Sequence, residues 1–103
     1  MKYRPYTYEL GISPKSKQEL VVDSTGTYTV HMDCRDVRAG VELELSILIK
    51  PAPNSDFLPF ETYPIPATGE LYTIEVPRCS GFKLIFNMNA GRIVKIPIYV
   101  WKR

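Results

Sequence analysis

The sequence is short of the residues that catalysis and metal binding usually call on: one His and two Cys stand among 103 residues, with a single Trp. A tetrahedral metal site needs about three or four converging nitrogen, sulfur or carboxylate donors, and there is no second imidazole to supply one. No segment repeats its apolar residues at helical spacing, so no helix is expected, nor a glycine-rich loop feeding a helix N-terminus to hold phosphate. No apolar run approaches the roughly 20 residues that span a bilayer as a helix. The net charge is only +2 and no run of five basic residues occurs, so neither nucleic acid nor a membrane is expected as a partner. Residues 1–8 lack the apolar stretch of a secretory signal. The expectation is therefore a chain made in the cytoplasm without a signal peptide, where Cys34 and Cys79 would remain free thiols rather than form a bridge.

What is present is alternation. Val41, Leu43, Leu45, Ile47 and Ile49 occupy every second position, with Glu42, Glu44, Ser46 and Lys50 between them. Successive strand side chains point to opposite faces, so this is one long strand with an apolar face that the rest of the chain must cover. Burying that face contributes roughly 7–15 kcal/mol as an upper bound. Hydrophobic residues make up 45% of the chain and charged residues 23%, which suits one globular domain with its own core and no disordered tail.

The same period recurs along the chain. Residues 1–10, with Tyr3, Arg4, Pro5, Tyr6 and Tyr8, form a basic aromatic segment expected to be an edge strand or an extended arm, since Pro5 cannot donate to a ladder. A short strand over 18–22 and the turn Asp23-Ser24-Thr25-Gly26 lead to a strand with Tyr28, Val30 and Met32 inward. The turn 36–40 is expected to join that strand to 41–50 as an antiparallel hairpin. Pro51 and Pro53 end the long strand, and Phe57, Leu58 and Phe60 are expected to fold back over one end of the core. A short strand over 60–63 precedes one over 71–76, with Tyr72, Ile74 and Val76 inward. A turn is expected over 77–81, then Phe82, Leu84, Phe86 and Met88 face in, and residues 89–91 reverse the chain. Val94, Ile96, Ile98 and Val100 line one face of the last strand. Because Pro97 lacks an N–H, that strand is expected at a sheet edge or bulged there. Seven or eight short strands with a turn about every ten residues describe an all-β, single-domain antiparallel β-sandwich over 1–103, of jelly-roll or immunoglobulin-like topology. The lone Trp at position 101 argues against an immunoglobulin domain proper, whose Trp lies between two cysteines.

Several residues were weighed as catalytic or ligating. His31, Asp33, Cys34 and Asp36 lie close in sequence, but His31 and Cys34 project to opposite strand faces, which prevents both a metal cluster and a Cys–His nucleophile pair. Asp23-Ser24-Thr25-Gly26 offers a single carboxylate where an aspartic protease needs two. Glu42 and Glu44, about 7 Å apart by strand geometry, could in principle act as a carboxylate pair on a sugar, yet nothing around them raises a pKa. No enzyme, cofactor or metal is expected.

Surplus apolar surface points elsewhere. With the core filled, Ile93, Pro97, Tyr99 and Trp101 remain outside, and the segment carrying Tyr3, Arg4, Tyr6 and Tyr8 adds aromatic and basic groups of the kind enriched at protein interfaces. These eight residues are the expected contact to a protein partner, either a second copy or a subunit of a capsid-like assembly. In size, strand pattern and lack of a signal peptide the chain resembles the small β-sandwich decoration, or cement, proteins of tailed-phage virions. That resemblance implies a non-catalytic structural protein that docks into an ordered, oligomeric assembly and clamps neighbouring subunits. The alternative is a carbohydrate-binding module with Trp101, Tyr99 and Tyr63 as stacking platforms.

Overall fold

The computed structural model describes residues 18–89 and 93–103, and the backbone of 6–12 and 17. Tyr3 and Arg4 lie outside the described residues, as do 90–92 of the reversal expected after Asn89. Eight strands follow one another: β1 (Tyr6–Ile12), β2 (Lys17–Val22), β3 (Gly26–Asp33), β4 (Glu42–Lys50), β5 (Leu58–Ile65), β6 (Leu71–Cys79), β7 (Gly81–Asn89) and β8 (Val94–Lys102). The described residues contain no helix, and so none long and apolar enough to cross a membrane. All pairings are antiparallel, and they build one sheet in the order β1-β8-β3-β6 and another in the order β2-β7-β4-β5. Pairing first with eighth, second with seventh, third with sixth and fourth with fifth is what one long hairpin gives when rolled on itself. Of the two expected topologies this order is jelly-roll-like.

The core lies between the sheets and follows the alternation residue by residue. Tyr28, Val30 and Met32 of β3, Leu43, Leu45 and Ile47 of β4, Phe82, Leu84, Phe86 and Met88 of β7, and Val94, Ile96, Ile98 and Val100 of β8 are all buried. Tyr28 and Phe82 meet from opposite sheets with ring centroids 4.9 Å apart and planes at 59°, a tilted geometry that aromatic pairs favour. The Tyr28 hydroxyl donates to the Ser24 carbonyl, so its one polar atom is satisfied inside the core. On the far side, Tyr63 of β5 stacks on Tyr72 of β6 at 5.7 Å and closes the gap between the two edge strands there.

Four expectations are corrected. First, β3 and β4 do not form a hairpin; they lie in different sheets, and residues 34–41 carry the chain across. Both strands bury one complete face, and two such faces are best covered by each other rather than by pairing side by side. Second, β8 is an interior strand, flanked by β1 and β3. The Lys95 N–H donates to Asp36 Oδ2 at 2.9 Å and the Arg103 N–H to the Thr27 carbonyl at 2.7 Å, so odd positions of β8 turn their amides toward β3. Pro97 shares that edge, but the β3–β8 ladder ends at Met32 opposite Ile98, one residue short of it. The missing N–H therefore falls where the β3–β8 ladder has ended, although β3 runs one residue further against β6. Third, Leu58 and Phe60 are exposed on edge strand β5 instead of covering the core. Phe57 sits under the Lys50 and Lys83 ammonium groups, 5.6 and 4.9 Å from its ring centroid, a cation–π arrangement. Fourth, Pro77 lies inside β6 rather than in a turn. Between Gly26–Cys79 and Tyr28–Val76 the register shifts, and this bulge on an edge strand accommodates the proline.

Gly81 fixes where β7 begins. A Cβ built on it would stand 2.7 Å from the Val22 carbonyl oxygen and 3.3 Å from Asp23 Cα, both backbone atoms. The neighbouring Ser80 N–H is held by the Lys50 carbonyl at 2.8 Å, so the strand cannot simply slide away. Gly81→Ala is expected to destabilise the fold by about 1–3 kcal/mol, as overpacking does. Urea unfolding against the wild type checks this. A Gly81→Ala midpoint equal to that of the wild type would refute the clash.

Candidate interaction surfaces

The four described residues of the expected interface share one face. Odd positions of β8 point away from the core, which sets Ile93, Pro97, Tyr99 and Trp101 along the outside of the β1-β8-β3-β6 sheet, with Lys95 among them. Ile93 is 58% exposed, while Pro97, Tyr99 and Trp101 are half-buried. Across the ladder, Tyr99 stands opposite His31 and Trp101 opposite Thr29. The next strand continues both rows with Thr73 and Glu75. His31 Nδ1 is 2.8 Å from Thr73 Oγ1, and the Thr29 hydroxyl donates to Glu75 at 2.9 Å, where Arg103 also pairs. The surface is thus an aromatic pair beside a fixed row of hydroxyl, imidazole and carboxylate groups. On β1, Tyr6 and Tyr8 stand in register with Val100 and Ile98, while Thr7 and Glu9 stand opposite Tyr99 and Pro97.

The cluster considered for metal chemistry is dispersed among separate partners. Asp33 holds Arg35 through a two-pronged pair at 2.7–3.1 Å, and this guanidinium keeps its carboxyl below the usual range. Asp36 accepts the Lys95 N–H, and the Cys34 thiol points into the core. Among the described residues no group of three or more His, Cys, Asp or Glu is placed to hold a metal ion.

Cys34 follows the end of β3, whereas Cys79 pairs with Gly26 at its start. Strand rise sets them about 25 Å apart, far beyond the roughly 7 Å limit between Cα atoms for a disulfide. Both thiols are free and buried. Burial, aided by the Asp33 charge, pushes the Cys34 thiol up to about 11 from 9.0. The folded state therefore holds its proton while the unfolded chain gives it up, so stability is intact below about pH 9 and falls as pH rises toward 11. Neither thiol should react with a disulfide reagent at pH 8 without denaturant, and Cys34→Ala should flatten the alkaline loss of stability. Rapid native labelling at Cys34 would contradict its placement.

Tyr63 does not share the face of Tyr99 and Trp101. It points between the sheets opposite Leu45, against Tyr72, with its hydroxyl buried and unpartnered among the described residues; burial pushes that hydroxyl well above its ordinary range. The stacking trio of the carbohydrate alternative is thereby reduced to two.

The sequence reading missed a second feature. On the outside of the other sheet, Glu42 stands opposite Asn89, and Glu44 opposite both Asn87 and Pro64. Together with backbone neighbours Leu43, Ile65 and Met88 these residues line an open groove of about 530 Å³. Neither glutamate has an ion-pair or side-chain hydrogen-bond partner among the described residues. The signal in the sequence was the pair of carboxylates at alternate positions; the asparagine row beside them comes from a strand distant in the chain.

No protein-family model matches the sequence, and no curated protein is similar to it in sequence. Solved structures are similar in shape. A mitogen from Yersinia pseudotuberculosis matches with a TM-score of 0.62 at 10% identity, over 99% of this chain and 88% of that one. PirA matches at 0.63 with 11% identity, over 92% and 93%. A carbohydrate-binding module specific for non-crystalline cellulose matches at 0.53 with 12% identity, over 94% and 73%. The likeness is one of fold. It bears out the all-β sandwich.

Proposed function

We propose that this domain is a non-catalytic docking module that works by presenting the outer face of its β1-β8-β3-β6 sheet to a protein partner. The observation that carries the reading is the placement of Trp101 and Tyr99, two residues apart on the exposed side of an interior strand. Large, half-exposed aromatics on a rigid sheet lose little conformational freedom on binding, and they are the side chains in which interface energy concentrates. The hydroxyl and charged row beside them supplies a polar rim. The partner is a repeated subunit, the domain being a piece of an ordered assembly such as a capsid decoration protein of a virion. Docking through a sheet face, rather than by pairing along β8, is the form this takes, since β8 has a neighbour on either side.

A second reading, carbohydrate binding, is favoured by the same aromatic pair, because sugar rings also stack on flat aromatic faces beside hydroxyl and carboxylate groups. The fold shared with a cellulose-specific module is compatible with it. One comparison separates the two. Wild-type protein and Trp101→Ala are sedimented over a concentration series, alone and with candidate assemblies, and both are applied to a glycan panel. Association lost in the variant supports protein docking, and a glycan signal lost in the variant supports the second reading. Unchanged association with no glycan signal overturns both.

A further inference from the structure

We infer that the free edge of β6 over residues 71–75 pairs with the same edge of a second copy about a two-fold axis at Thr73, joining two β1-β8-β3-β6 sheets into one. The inference goes beyond the sheet-face docking above and stands apart from it. It starts from the main-chain groups left over. The Arg103 N–H bonds to the Thr27 carbonyl, so odd positions of β3 face β8 and even positions face β6. Opposite those even positions stand Tyr72, Ile74 and Val76, which turn their amides to β3. Leu71, Thr73 and Glu75 therefore turn theirs outward, where no described strand lies.

Exposed edges are usually blunted by lysine, proline or a bulge. Residues 71–76 contain none of these; the bulge and Pro77 come after them. The edge on the same side of the other sheet, β5, is blunted. The Ser80 N–H bonds to the Lys50 carbonyl, so even positions of β4 face β7. Their β5 partners Pro59 and Pro64 thus present outward nitrogens that carry no hydrogen. Leu71 is also the most exposed large apolar side chain among the described residues, at 62%.

The occupant is a second copy because this edge complements itself. In antiparallel register about Thr73, Leu71 of each copy meets Glu75 of the other, and Thr73 meets Thr73. All of these residues point at their partners, which gives about six main-chain hydrogen bonds. Pro77 falls outside the ladder, opposite Gly69, whose N–H the Val37 carbonyl already holds. Thr–Thr is a favourable cross-strand pair, and no like charges stand opposite one another. Glu75 is already paired with Arg103. Glu70 and Arg78 are exposed and have no ion-pair partner among the described residues. The two-fold sets Glu70 of each copy diagonally across from Arg78 of the other, within reach of long side chains.

The full chain tests this in two ways. Wild-type protein should sediment as a dimer, and the Leu71, Thr73 and Glu75 amides should gain protection from hydrogen exchange as concentration rises. Glu70→Arg and Arg78→Glu each bring like charges together and should each weaken the dimer at least about ten-fold. An equimolar mixture of the two variants opposes unlike charges at both diagonals and should recover wild-type association. Thr73→Pro removes the central donor without touching a bond to β3 and should also abolish the dimer, whereas Thr73→Val, which keeps the N–H, should not. Circular dichroism shows which variants fold; if Thr73→Pro does not, amide exchange and the charge variants decide. A wild-type protein monomeric to about millimolar concentration, an unprotected Thr73 amide, or no recovery on mixing each overturns the inference. So do species larger than a dimer, which would mean pairing of β6 with β1 of the next copy. Trp101 lies on β8, two strands from this edge, so Trp101→Ala leaves the dimer in place and the two readings fail separately.

Discussion

Phe82→Ala is expected to remove about 3–5 kcal/mol of stability, the cost of truncating a large buried aromatic side chain. Phe82 is wholly buried, sits in β7 between β2 and β4, and carries the ring that meets Tyr28 from the opposite sheet. The substitution thus empties space at the contact that joins the two sheets, and three flanking strands must relax to fill it. The backbone there is held by ladders on both sides, so collapse is limited and the cavity term stays large. A domain of this size has about 5–15 kcal/mol in total, and 1 kcal/mol moves the melting temperature by about 4–8 °C. A fall of at least about 12 °C should follow, read by thermal circular dichroism. Leu58→Ala provides the comparison: this side chain is 51% exposed on edge strand β5, and its loss should be nearly silent. A Phe82→Ala melting point within a few degrees of wild type would mean that the sheets are not joined through this pair.

Trp101→Ala should act on association and leave the fold alone. Removing a buried aromatic anchor typically costs at least about 2 kcal/mol of binding, which corresponds to roughly thirty-fold in affinity. The isolated domain should tolerate the change, because Trp101 stands on the outer face while the inward positions of β8 are untouched. Its neighbour across the ladder, Thr29, already has Glu75 as a hydrogen-bond partner, so no buried polar group is orphaned. The measurement is paired: sedimentation for association, chemical denaturation for stability. Loss of both would make Trp101 a structural residue, and loss of neither would move the docking surface elsewhere.

Most of the fold was legible because alternation is a local property with a physical cause. When one face of a strand is buried and the other wet, period two is imposed on the sequence, and the inward residues of β3, β4, β7 and β8 were readable from it. Exposure of Tyr99 and Trp101 followed from the same rule, since the intervening positions of β8 are fully buried. What alternation does not encode is which strand lies beside which. The hairpin expected between β3 and β4, and the edge position expected for β8, were inferred from chain proximity and from one proline. Both were overridden by long-range pairing, whose energy is spread over whole ladders rather than carried by any residue. Pro97 was a sound signal of a missing donor, but only the end of the β3 ladder decided which neighbour it faced. The groove at Glu42 and Glu44 was hidden for the same reason: its carboxylates are two residues apart in the chain, while Asn87, Asn89 and Pro64 reach them only through sheet order. The sequence by itself determined the strands and their inward faces, because burial acts residue by residue. Tertiary structure alone decided the order of strands, and with it which surface groups became neighbours, because that order is set by the sum of contacts between segments far apart in the chain.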